Sequence, residues 1–277
     1  MIKLNKNNKI VIFSDLHYAP ELPVNNGSRI ERKLINKSLE ILEKLINEIN
    51  NNIKPNVVIN LGDLVEDFND HDEDIENLKY VWNRFKEIEA PFYSIIGNHD
   101  LRSMKSRNEV EEIMEYEHST FSVNECGLHL VFLGTYVNND FGNEEGGIYK
   151  TQFMSQEDIE WLKQDLKENN LPVLVFLHFG VAEDEMKGNW WFEDSPECAL
   201  LGNRKLLKEI LEKENNLIAV FSGHQHWTKK LVENNVNYYI LGSLTENINN
   251  DGIPDGVYFE IEVNGKEINV IEKHVRL

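Results

Sequence analysis

The feature that most constrains this chain is a set of short apolar runs, each four or five residues long and each followed by a polar cluster. They are Ile10 to Phe13, Val57 to Leu61, Phe92 to Ile96, Val173 to Leu177 and Ala219 to Ser222. Runs this short and this continuous suit strands buried on both faces, inside sheets that are covered on each side. Helical periodicity fills the first intervals. Arg29 to Ile49 puts Ile35, Leu39, Leu42, Leu45, Ile46 and Ile49 on one face, and a second helix is expected at about Asp74 to Ile88, introduced by the acidic stretch Asp70 to Asp74. Strand, helix and strand in repetition predict parallel neighbours.

Further along, a polar helix is expected near Asn108 to Met114. Paired strands follow at Thr120 to Val123 and Leu128 to Thr135, around Asn124-Glu125-Cys126-Gly127. Ser155 and Asp158 form a Ser-x-x-Asp cap that starts another helix. A helix at Asn203 to Glu212 and four closing strands, at about Thr228 to Glu233, Asn237 to Leu241, Val257 to Val263 and Glu267 to Lys273, complete the pattern. No repeat or linker divides it. The expectation is an α/β chain whose residues 1–277 form one domain: a four-layer α-β-β-α sandwich of two mixed sheets flanked by helices.

Composition removes several function classes. No apolar run approaches the roughly 18 residues of a membrane span. The stretch from Met1 to Lys9 is polar, and Ile10 to Phe13 is too brief for a signal-peptide core, so a cytoplasmic protein is expected. Cys126 and Cys198 stand far apart and in no CxxC pattern, which gives neither a disulfide framework nor a thiolate metal site. A net charge of -20 argues against stable nucleic-acid binding. It does not exclude a small anionic substrate, because screening over about 8 Å lets a local site differ in sign from the surface.

The polar clusters carry the chemistry. Ser14-Asp15-Leu16-His17 offers a carboxylate and an imidazole two residues apart, leaving a strand end in the same direction. Gly62-Asp63-Leu64-Val65-Glu66-Asp67, Gly97-Asn98-His99-Asp100, the lone His178 and Gly223-His224-Gln225-His226 follow the other four runs. Each cluster alone is compatible with an ordinary solvated turn, and His178 alone with a hydrogen-bonded structural histidine. The His-x-His pair is more telling, since both imidazoles can face one site. Five clusters at five strand ends point to one crevice at the carboxyl edge of the sheets. Of the nine histidines, His71, His118, His129 and His274 lie outside these clusters and are expected to be structural or surface residues.

Asp15-x-His17, Gly62-Asp63, Gly97-Asn98-His99-Asp100, His178 and Gly223-His224-x-His226 occur in an order that resembles the calcineurin-like metallophosphoesterase superfamily. The resemblance spans Ser14 to His226. It implies one metal held by Asp15, His17, Asp63 and His226 and a second held by Asp63, Asn98, His178 and His224, with Asp63 as the bridge. A two-oxygen carboxylate can span ions about 3.5 to 4 Å apart, and such a pair clamps attacking and leaving oxygens. Two dications with two aspartates and a bridging hydroxide leave the crevice near +1, attractive to phosphate. Nitrogen and oxygen donors without thiolate suit manganese, iron, zinc, cobalt or nickel, with manganese the first expectation.

The resemblance further implies a dinuclear metal-dependent hydrolase in which a metal-bridging hydroxide attacks phosphorus in line. His99 would stabilise charge and protonate the leaving oxygen, with Asp63, Asp100 and Glu66 as further catalytic groups. A small phosphodiester or nucleotide-like pyrophosphate is the leading substrate expectation. A phosphomonoesterase, or a catalytically idle metal-binding interaction scaffold, is the alternative. Departures narrow the group. Glu66 stands where purple acid phosphatases carry tyrosine, and Glu66-Asp67 replaces the Asp-Arg pair of the Ser/Thr protein phosphatases. Glu66 could orient His99 as that aspartate does, or form a solvated turn. Trp190-Trp191-Phe192 could stack on a nucleobase, or pack its rings onto the core; the second is slightly favoured.

Overall fold

The computed structural model describes residues 8–20, 32–68, 70–134, 152–246, 249 and 251–277. Among the described residues, eleven strands form two mixed sheets. The first contains β1 (Asn8–Phe13), β2 (Val57–Asn60), β3 (Phe92–Ser94), β10 (Val257–Asn264) and β11 (Glu267–His274), in the order β11-β10-β1-β2-β3. The second contains β4 (Phe121–Glu125), β5 (Leu128–Leu133), β6 (Val173–Leu177), β7 (Leu217–Ser222), β8 (Lys229–Glu233) and β9 (Val236–Ile240), in the order β4-β5-β6-β7-β9-β8. The strands that precede polar clusters pair in parallel, β1 with β2, β2 with β3 and β6 with β7, and β5 also runs parallel to β6. Their carboxyl ends therefore point the same way within each sheet.

The pleat explains why the runs are continuously apolar. Ile10 and Ile12 of β1 turn inward, into a core shared with Phe132, Phe176, Phe221 and Tyr239 of the second sheet. Val11 and Phe13 turn outward, beneath α1 (Ser38–Glu48) and α2 (His71–Phe85), against Leu42, Leu45, Val81 and Phe85. On the far side, Val131, Val175 and Val220 pack under Ile159 and Leu162 of α4 (Gln156–Glu168) and Leu207 and Leu211 of α5 (Arg204–Leu211). A shorter helix, α3 (Arg107–Met114), joins the first side through Val110 and Met114. Helix, sheet, sheet, helix is the four-layer α/β order expected from the sequence.

Local signals set the boundaries. Asp70 caps α2 by accepting from the backbone of Asp72 and Glu73, which moves its start ahead of Asp74. Ser155 caps α4 by accepting from Asp158 N at 3.0 Å. The helix expected from Arg29 is interrupted, because Leu34 adopts φ 53° before a short 3-10 turn at Ile35–Lys37 leads into α1. Residues 29–31 and Thr135 lie outside the described residues.

Candidate metal centre

The crevice is built by loops that run alongside one another past the strand ends. After β1, Asp15 N donates to Gly62 O at 3.0 Å, His17 N to Asp63 O at 3.0 Å and Tyr18 N to Leu64 O at 2.8 Å. The loop after β3 joins through His99 N, which donates to Asp63 Oδ1 at 2.8 Å. The second sheet is tied in by His224 N, which donates to Asp15 Oδ2 at 3.0 Å. Each aspartate thus has one oxygen fixed by backbone and the other directed into the crevice.

Among the described residues four overlapping groups of metal-capable side chains meet there: Asp15, His17 and His226; His17, Asp63 and His99; Asp63, His178 and His224; and, at the rim, Glu66, Asp67 and His99. Asp63 Oδ2 lies 3.3 Å from His178 Nε2 and 3.8 Å from His17 Nε2, so it stands between them. Asn98 Oδ1 is 3.2 Å from His178 Nε2. His178 Nδ1 donates to Leu61 O at 2.7 Å, which leaves its Nε2 as a lone pair among oxygen acceptors. His224 is fixed the other way round: Nε2 donates to Cys198 O at 3.1 Å and leaves Nδ1 as the donor atom.

The residues fit a pair of cations. His17 Nε2 and His226 Nε2 are 3.0 Å apart, while the Nδ1 of each meets a carboxylate, Glu66 Oε2 at 2.9 Å and Glu246 Oε2 respectively. With the His226 Nδ1 proton given to Glu246 and His17 Nδ1 turned to Glu66, the two inner nitrogens face each other, which requires a proton or a metal cation between them. Asp15 Oδ1 is buried without a hydrogen bond and lies 3.3 Å from His226 Nε2. Backbone strain tells the same story. Asp15, His17, Asp63, His224 and His226 all have φ between 48° and 66°, in the left-handed region that costs a non-glycine residue about 1–3 kcal/mol. Two glycines leave room for the carboxylates: a Cβ on Gly97 would sit 2.1 Å from Asp63 Oδ1, and one on Gly223 would sit 2.6 Å from Asp15 Oδ2.

Electrostatics follow from this packing. Burial disfavours the charged form of Asp63, but the imidazoles of His178, His99 and His17 outweigh it and hold the carboxyl well below the usual range. Burial likewise opposes a proton on His178 and His226, yet Asp63 pushes the first up to about 9, and Glu246 with Asp15 pushes the second up to about 10. His224 goes down to about 3, through burial and the neighbouring His178. Without an ion, protons occupy the position of the cation on two of the four histidines.

The structure alters the expected parts of the other polar residues. Glu66 faces both His17 and His99. Its Oε2 is 2.9 Å from His17 Nδ1 and 3.5 Å from His99 Nδ1, whereas Asp67 Oδ1 lies 2.5 Å from His99 Nδ1. Asp100, expected among the catalytic groups, is fully buried. Its Oδ1 accepts from Leu64 N at 2.8 Å and Val65 N at 3.2 Å, and Oδ2 accepts from Gly97 N at 2.8 Å, so it ties two loops together. In the aromatic loop, Phe192 packs 5.0 Å from the His224 ring, and Trp191 Nε1 donates to Glu246 Oε2 at 2.8 Å. Trp190 stays 49% exposed, with the Arg32 guanidinium 4.7 Å over its ring. Sequence reasoning missed Lys33, which lies 2.7 Å from Glu66 Oε2, and Glu246, which meets His226 and Arg32. Asp67 carried a signal, as part of the Gly62 cluster; Lys33 and Glu246 carried none.

A model of the calcineurin-like phosphoesterase family matches residues 8–228. The chain belongs to that family. The match begins at β1 and ends two residues beyond His226, so all five clusters of this calcineurin-like phosphoesterase lie within it and Glu246 lies outside. A probable cyclic nucleotide phosphodiesterase of Xenorhabdus bovienii is 24% identical over 230 residues, covering 82% of each chain. A probable glycerophosphodiester phosphodiesterase of Arcobacter nitrofigilis is 26% identical over 221 residues, covering 72% of this chain and 71% of that one. A dimetal phosphatase from Danio rerio shares the fold, with a TM-score of 0.69 at 14% identity over 95% of this chain and 98% of that one.

Proposed function

We propose that this calcineurin-like phosphoesterase hydrolyses small phosphodiesters with two divalent cations, held on one side by Asp15, His17, Asp63 and His226 and on the other by Asp63, Asn98, His178 and His224. The observation that carries the reading is the position of Asp63 Oδ2 between His17 Nε2 and His178 Nε2, at 3.8 and 3.3 Å. A diester substrate is supported by the two relatives named as phosphodiesterases. Bound there, the cations supply Lewis acidity and a nucleophilic water. Donors of nitrogen and oxygen support manganese as the first choice, with iron, zinc, cobalt and nickel behind it.

The chain's own residues do the remainder. Asp63 Oδ1 is pinned by His99 N, which fixes the free oxygen and keeps the His99 ring beside the crevice. Asp67 accepts from His99 Nδ1, so the Nε2 edge of that ring is the one turned to reacting oxygens. Glu246 orients His226 by accepting its Nδ1 proton, and Glu66 stands 2.9 Å from His17 Nδ1 as its charged neighbour. The reading takes residues 1–277 as one unit, supported by the core that both sheets share. It also takes a reducing, cytoplasmic compartment, supported by a chain with only two cysteines. The test is a manganese-supplemented panel of aryl phosphate mono- and diesters, cyclic nucleotides and nucleotide diphosphate conjugates, run beside Asp63→Ala. Hydrolysis of diesters that the variant lacks is expected. Preference for monoesters would reassign the substrate, and a flat panel with metal bound would make the protein a scaffold.

A further inference from the structure

Lys33 is a buried cation that the metal ligands do not require. It is 5% exposed and comes from a different stretch of chain than any of the clusters. Its Nζ donates to Glu66 Oε2 at 2.7 Å and lies 3.1 Å from His99 Nε2, with the Trp191 ring 5.5 Å away. An ammonium has three hydrogens. Glu66 and His99 take two, and among the described residues no acceptor takes the third. The next residue, Leu34, holds φ 53°, a strained turn that sets the direction of the chain directly after Lys33.

A purely structural ion pair is a poor account of this side chain. Burying an ammonium costs several kcal/mol and is repaid only by well-satisfied partners. Here the one carboxylate paired with it among the described residues also faces His17, at 2.9 Å from the same Oε2 atom. Arg102 stands on the opposite side of His99, with Nη1 3.3 Å from its Nδ1 and 3.0 Å from Asp67 Oδ1, so that guanidinium is paired with Asp67 while Lys33 holds the Nε2 edge. A spare N–H on a fixed cation, beside the Nε2 edge of a histidine at a metal crevice, has the arrangement of a preorganised anion contact.

We propose that Lys33 is a substrate-binding catalytic residue, whose third N–H takes a non-bridging oxygen of the phosphoryl group beside His99. This deepens the proposed function and rests on it.

The experiment uses the full chain loaded with manganese. Inorganic phosphate is titrated by calorimetry, metal is counted, and turnover of an aryl phosphodiester is measured in the parent, Lys33→Met and Lys33→Arg. Lys33→Met should keep its metal count and weaken phosphate binding by on the order of 10-fold. Its kcat/KM should fall on the order of 100-fold. Lys33→Arg should recover most of both. Unchanged phosphate affinity in Lys33→Met, or a loss of metal that accounts for the lost turnover, would overturn the assignment. Should Lys33→Met not fold, Lys33→Gln is read by the same criteria. If neither folds while Lys33→Arg does, the ammonium serves the core and the assignment fails. A parent protein that binds phosphate through Lys33 yet cleaves no ester would refute the proposed function and leave the phosphate contact standing.

Discussion

His129 on β5 and His226 beyond β7 are both buried, at 2% and 9% exposure, and both meet a carboxylate. Around His129 both ring nitrogens have protein partners: Nε2 donates to Asp165 Oδ2 at 2.7 Å, and Nδ1 accepts from Asn169 Nδ2 at 2.8 Å. Around His226 only the outer nitrogen is so served. Its Nε2 looks across 3.0 Å at another Nε2 and across 3.3 Å at the buried Asp15 Oδ1. A histidine that completes its hydrogen bonds within the protein stabilises a fold. One whose inner nitrogen meets a second imidazole and a buried carboxylate carries a proton that a cation can replace.

That contrast can be broken by mutation. The largest effect is expected at Asp63→Ala, which removes the carboxylate whose Oδ2 lies between His17 Nε2 and His178 Nε2. Turnover should fall beyond the roughly 1,000-fold that a single electrostatic donor supplies. Metal analysis should find fewer ions per chain, and a variant with full occupancy and activity would remove the bridge from the account.

Glu246→Ala comes next. It deletes the partner of His226 Nδ1 and of Trp191 Nε1 without touching a donor atom, and should cost about 10- to 100-fold in metal affinity or activity. Competition against a chelator reads this directly.

The pH dependence sharpens the comparison further. In the ion-free protein, His178 near 9 and His226 near 10 sit above the roughly 6.5 of an unfolded imidazole. Their contribution to stability is complete below about pH 6.5 and is lost as pH rises through 9 and 10. Cations need both rings neutral, so binding at pH 7.5 should release protons. Affinity should then rise with pH, about tenfold per unit for each proton displaced. Calorimetry in buffers of different ionisation enthalpy counts them, and zero release would contradict the protonated rings.

The smallest effect on chemistry is expected at Asp165→Ala, which strips His129 of its carboxylate and leaves metal content and turnover unchanged. The cost is structural, about 1–3 kcal/mol for an unsatisfied buried group. In chains near this size that lowers Tm by about 2–4 °C per kcal/mol. Loss of activity without loss of stability would erase the distinction between the two imidazoles.

The residues that could be read from sequence are those whose positions follow from local geometry. Asp15, His17, Asp63, Asn98, His178, His224 and His226 each come within a few residues of an apolar run whose end the parallel pairing fixes, and the structure brings all of them to one crevice. The strand and helix order was legible for the same reason. Lys33, Glu246 and the part taken by Asp67 were not. Lys33 sits in what periodicity reads as an ordinary helix, broken by the left-handed Leu34. Glu246 arrives from a segment after β9, where Ser243 Oγ accepts from its N–H at 3.0 Å, and no spacing relates it to His226. Glu66 and Asp67 are adjacent, and only the direction of each side chain decides which imidazole it serves. Long-range pairing hid one more feature: β10 lies beside β1, so the last hairpin extends the first sheet.

The most direct test is anomalous scattering from a crystal of the protein grown with manganese. The account predicts two peaks about 3.5–4 Å apart, one on each side of Asp63 Oδ2. The first should touch Asp15, His17 and His226, and the second Asn98, His178 and His224. A single peak remote from Asp63, or none with His17 and His226 still facing each other, would contradict it.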